Sequence, residues 1–70
     1  MLNDRQVEVI QALRKSKYFG LTDAAQGLYM HRNSVVYHIN KIKAQTGHDP
    51  QTFDGMKALL EMMEAQHGHS

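Results

Sequence analysis

The sequence predicts an all-α fold of four helices, the second and third forming a helix-turn-helix. Three observations predict it. Apolar residues recur at helical spacing in three stretches, Val7/Ile10/Leu13, Val35/Ile39/Ile42 and Phe53/Met56/Leu59/Leu60/Met63. Between the first two lies a short segment rich in small residues, Ala24 and Ala25, where another helix can approach closely. No alternating strand pattern competes, and no Asn-Gly or Asp-Gly pair joins two apolar runs as a hairpin would.

The expected helices cover about residues 4–17, 22–28, 32–45 and 52–66. Asn3 is a good N-cap for the first, with Gln6 three residues on as in a capping box. Val9 adds to one flank of its apolar stripe. Arg14, Lys15 and Lys17 load its last turn, where cations complement the helix dipole, and Gly20 ends it or follows its end. Thr22 is the expected cap of the second helix, with Asp23 in its first turn and Gly27 weakening it. The third helix carries one narrow apolar stripe and stops at Thr46-Gly47. The fourth follows Asp49-Pro50 and buries Phe53, Met56, Leu59, Leu60 and Met63. Its methionines suit core packing or a dimer seam better than a pliable partner groove. A polar tail, residues 67–70, is expected to fray.

Seventy residues make one domain, 1–70, with a thin margin of stability. There is no cysteine, hence no disulfide and no thiolate metal site. No apolar run approaches the about 20 residues of a spanning helix, and the N-terminus is not a secretory signal. The expected location is the cytoplasm, with no membrane contact. The net charge of +1 conceals an uneven distribution. From Ala24 to His48 there is no acid, while Arg32, Lys41 and Lys43 stand there with His31, His38 and His48. From Asp49 onward four acids face only Lys57. A positive island between more acidic flanks suits a polyanion.

Residues 21–42, LTDAAQGLYMHRNSVVYHINKI, meet the demands of a helix-turn-helix. Ala25 provides the small residue at the crossing, and Leu28, Met30, Val35 and Ile39 the local core. The connection, Tyr29 to His31, has the expected length. At about 100° per residue, the side of the third helix opposite its apolar stripe holds Asn33, Tyr37, Asn40 and Ala44. Val36 lies on one shoulder, Ser34 and Lys41 on the other, and Arg32 reaches outward from the first turn. Amides, hydroxyls and cations without a carboxylate are the groups that contact phosphates and base edges. Backbone N–H groups at the start of this helix add a further anion-binding feature. The expected partner is double-stranded DNA. The expected contacts are Thr22, His31, Arg32, Asn33, Ser34, Val36, Tyr37, Asn40, Lys41 and Lys43.

The stretch MHRNSVVYHINKIKAQTGHDPQTFDGMKALLEMM resembles the C-terminal helix-turn-helix of the PucR-type regulators, which include purine-catabolism and sugar-diacid utilisation regulators of bacteria. His31-Arg32-Asn33-Ser34-Val35 keeps the first part of the family pattern, with Ser for Thr and Val for Leu. Tyr37, Ile39, Thr46-Gly47 and Asp49-Pro50 followed by Phe53 continue it. The similarity covers about residues 21–63 and extends more distantly to the DNA-binding end of Fis. It implies a bacterial transcriptional regulator with an effector-sensing region, of which this chain is an excised domain or a free-standing relative. Where the family has arginines on the groove face, this chain has Val36 and His38, so specificity does not carry over. Val36 offers only apolar contact, for instance to a thymine methyl. Tyr29 stands where many such turns have Gly, so a strained or differently shaped turn is expected.

Other chemistries are less well supported. The five histidines lack the i, i+4 spacing of a metal-binding helix, so no metal is expected. On the basic island, histidines can add positive charge below about pH 6.5. Ser16 and Ser34 sit in no nucleophile motif, and there is no phosphate-binding or dinucleotide loop. Neither an enzyme, a cofactor nor a small-molecule ligand is expected. The main alternative is a helical protein-interaction module without nucleic acid. It accounts for the helices but not for the acid-free stretch. The apolar residues of the last helix, Met62 included, span more than one face, which suggests a homodimer on DNA.

Overall fold

The first helix opens on a complete capping box. Asn3 Oδ1 accepts from the Gln6 amide at 2.8 Å, and the Asn3 amide donates to Gln6 Oε1 at 2.9 Å. In the computed structural model, which describes residues 2–67, this cap starts α1, Asp4–Lys15. A 3-10 turn, Lys17–Phe19, leads into α2, Leu21–Leu28. Helices α3, Arg32–Thr46, and α4, Phe53–His67, complete the chain, and no strand occurs among the described residues. The fold is all-α, as expected. Helix α4 runs through His67, and residues 68–70 of the expected tail lie outside the described residues.

Helix α1 is the strut of the molecule. It packs against α2, α3, α4 and the 3-10 turn, while α2 packs on α3. Val9, Ile10 and Leu13 of α1 are fully buried against Val35, Ile39 and Ile42 of α3, Ala24 and Ala25 of α2, and Met56, Leu59 and Met63 of α4, in one cluster. Val9 is thus core rather than flank, and Val7 is only half-buried. Leu28 and Met30 pack at the margin of the cluster.

Several local details differ from the sequence reading. Helix α1 stops at Lys15, because the chain turns at Ser16 and then passes through two left-handed residues, Tyr18 and Phe19, both at φ 54°. Gly20, not Thr22, is the N-cap of α2, and it offers no side-chain acceptor. Thr22 therefore sits exposed in the first turn. Phe53, which its spacing assigns to the core, is 83% exposed. It occupies the first position of α4, one turn ahead of the buried Met56. Its ring meets that of Phe19 in a T-shaped contact, with centroids 5.4 Å apart.

Two glycines illustrate how the sequence serves packing. Gly55 is buried, and a Cβ there would overlap the backbone of Asp49, its carbonyl oxygen above all. The loop before α4 folds back onto its first turn, held by Thr52, whose hydroxyl donates to Asp49 O at 3.0 Å and accepts from the Gly55 amide at 3.0 Å. A methyl group at Gly27 would meet nothing within 4 Å, so packing gains nothing from the missing side chain there. Gly55→Ala is therefore expected to destabilise toward or beyond the upper end of the roughly 1–3 kcal/mol typical of overpacking. Gly27→Ala should stabilise by about 0.5–1 kcal/mol. Urea denaturation of both variants checks the contrast. Ala25 is buried on α2, which packs against both α1 and α3, so Ala25→Leu should cost roughly 1–3 kcal/mol, and an unchanged melting temperature would contradict its place in the core.

Candidate nucleic-acid interface

The narrowness of the α3 stripe determines what the helix leaves to solvent. Only Val35, Ile39 and Ile42 are buried. Arg32, Asn33, Ser34, Tyr37, Asn40, Lys41 and Lys43 are all exposed, so the residues assigned to the outer face do lie at the surface. Val36 and His38 are half-buried shoulders. Tyr37 is 57% exposed, its ring edge-on to His38 with centroids 5.4 Å apart, and Lys41 Nζ lies 5.8 Å from its centroid. Tyr37 and Lys41 thus form one cationic-aromatic surface, weakly held because the cation is near the limit of such contacts.

The start of α3 is built differently from the sequence expectation of free amides. His31 is the N-cap, and its Nδ1 accepts from the Asn33 amide at 3.0 Å. The Ser34 and Val35 amides donate to His31 O at 2.9 and 3.3 Å. These amides are already engaged within the chain, so they do not form a ready anion site. His31 itself is exposed and serves first as a cap. An unprotonated Nδ1 is required for that role, because a protonated ring nitrogen has no lone pair to accept with.

The turn between α2 and α3 keeps the left-handed geometry that usually favours glycine. Tyr29 adopts φ 54°, ψ 40° as the C-cap of α2, and the Met30 amide donates to Ala25 O at 3.0 Å. The turn is strained, in line with the sequence expectation, but its shape is the ordinary one. Tyr29 is 98% exposed, so no packing of its ring offsets the strain. The sequence marks it through its backbone alone; a bulky aromatic at a glycine position, close in sequence to the cap residue, is also a signal for a surface role.

The remaining candidates lie apart from this group. Lys43, in the last turn of α3, reaches Asp49 Oδ2 at 3.9 Å, a half-exposed pair that partly neutralises it. Thr22 stands on α2. Among the described residues no group of three or more His, Cys, Asp or Glu gathers as a metal site. Among the same residues no helix is long and apolar enough to cross a membrane.

The cap makes a separable prediction. His31→Ala removes the acceptor and should destabilise by about 0.5–2 kcal/mol, whereas His31→Asn, a strong cap, should stay near the parent. Equal losses in both variants under urea denaturation would contradict the capping role.

No match was found among curated proteins or among solved structures. The family model of the PucR C-terminal helix-turn-helix domain matches residues 17–65, from the 3-10 turn to near the end of α4. That span covers the turn, the outer face of α3 and the Gly55 contact together. With most of its length so matched, the chain belongs to the PucR C-terminal helix-turn-helix family, a family of DNA-binding regulator modules rather than of enzymes.

Proposed function

We propose that the chain binds double-stranded DNA sequence-specifically, as the DNA-binding module of a bacterial transcriptional regulator acting in the cytoplasm. One observation carries the reading: the solvent side of α3 holds amides, hydroxyls and cations, and the chain from Ala24 to His48 contains no acid. A helix of this kind fits the major groove, where it can reach base edges without carboxylate repulsion from phosphate. Arg32 and Lys41 are assigned to phosphates, as long cationic side chains on the rims of the face. Asn33, Val36 and Tyr37 are assigned nearest the bases, Asn33 through its amide and Val36 through apolar contact. Ser34 and Asn40 add hydrogen bonds, and Thr22 at the start of α2 suits a phosphate. Lys43, drawn toward Asp49, and His31, occupied as a cap, contribute less than their types suggest. Two modules on half-sites about one DNA turn apart would follow the usual two-fold logic of helix-turn-helix proteins.

Selection from random duplexes supplies the ligand for the test. Lys41→Ala should weaken binding to all sequences alike and lower the salt slope by about one unit. Asn33→Ala or Tyr37→Ala should instead change which sequences are preferred. If Lys41→Ala leaves affinity and salt slope unchanged, α3 does not lie in the groove as assigned.

A further inference from the structure

One surface remains unexplained by the DNA-binding reading. Tyr18 and Phe19 both stand in the left-handed region, with Tyr18 97% exposed. Phe19 meets Phe53, itself mostly exposed, edge to face. Two consecutive strained aromatic residues, with one ring wholly in solvent, make an unusual corner for a monomer. The backbone there is held by the Gln51 side chain, whose Nε2 donates to Phe19 O at 3.4 Å. From this corner an apolar strip runs along α4 through the half-buried Leu60.

The charges beside the strip indicate what covers it. Arg14, at the end of α1, and Lys57 line it with Phe53, while Glu61 and Glu64 line it further along α4. Lys57 and Glu61 are one turn apart, yet neither they nor Arg14 and Glu64 form an ion pair among the described residues. The groove therefore carries two positive and two negative charges, polarised along the helix and in no ion pair among the described residues. Such a strip complements itself. An antiparallel copy of α4 would set Lys57 against Glu61 or Glu64 of the second copy, and reciprocally. A net charge of +1 leaves little long-range repulsion between copies.

We propose that the Phe19–Phe53 corner and the adjoining face of α4 dock a second copy of this chain about a two-fold axis. The surface rests on the pairing of modules read above, and it names the seam. In that register the Leu60 side chain lies at the apolar centre, and the rings of Phe19 and Phe53 cap each end of the seam. The four charges between and beside them fix the antiparallel orientation. Met62, half-buried, is not needed for the contact.

Sedimentation equilibrium of the full chain without DNA, across micromolar to millimolar concentrations, tests the seam independently of DNA binding. The parent chain is expected to self-associate, and Phe53→Ser should weaken that association at least tenfold. Circular dichroism should show Phe53→Ser folded, since the ring is exposed. A chain with Arg14→Glu and Lys57→Glu should not self-associate, nor should one with Glu61→Lys and Glu64→Lys, but a mixture of the two should form the hetero-pair. A parent chain that stays monomeric throughout, or a mixture that gains nothing over its components, overturns the proposal. Retained binding of Phe53→Ser to a single half-site duplex, measured by fluorescence anisotropy, would leave the DNA-binding reading standing even then. Association through some other face, unaffected by Phe53→Ser, would equally overturn it.

Discussion

Everything in this small fold depends on the apolar face of α1. Val9, Ile10 and Leu13 are fully buried, and α1 is the helix against which each of the other three packs. A chain of this length has little surface to spare for a second core, so one helix must serve all the others. The N-terminal end of α1 is correspondingly well anchored. Its capping box is extended by Gln6, only 4% exposed, whose Nε2 donates to Gln45 Oε1 of α3 at 3.2 Å. Just ahead of it, the Leu2 amide and carbonyl are both bonded to the side chain of Gln66 on α4, at 3.1 and 2.9 Å. These polar ties join the N-terminus to the two helices that complete the core.

Sharing α1 limits how much of α3 is buried, and that limit leaves the solvent-facing surface to which DNA contact is assigned. With three side chains sufficient to dock it, α3 keeps most of its circumference in solvent. Its position relative to α2 is then set by the small residues Ala24 and Ala25 and by the left-handed turn at Tyr29. The same economy explains the strain. A three-residue connection between α2 and α3 needs a left-handed residue, and this chain meets the need with tyrosine rather than glycine. Helix α4, which covers the far part of α1, brings more apolar residues than α1 can cover, and Phe53 is left outside.

How much of this is legible in the sequence depends on whether the signal is local. The α1 cap, the α3 stripe, the Gly47 stop at φ 77° and the three-residue turn are properties of neighbouring residues, and each is readable. The outer face of α3 follows from its periodicity alone. What cannot be read depends on where elements meet. Phe53 has the spacing of a core residue, but whether the first turn of α4 lies over α1 is a matter of the loop's path. Gly55 looks like a weak helix residue, and only the return of Asp49 onto it explains a glycine there. Gln6 is visible as a capping partner, not as a buried link to Gln45. Thr22 is a better cap by type than Gly20, yet the 3-10 turn delivers the chain to the helix early, so that Gly20 takes the cap. The amides expected to be free at α3 are engaged by His31, a residue type seldom considered as a cap.

The central claim is that the solvent side of α3 is the surface that meets DNA. Amide chemical-shift mapping of the full chain on titration with a duplex obtained by selection tests it most directly. The largest changes are expected on Tyr29 to Lys41, with α4 beyond Met56 little affected when the duplex carries one half-site. Changes centred on α4 and the Phe19–Phe53 corner, with α3 unmoved, would contradict it.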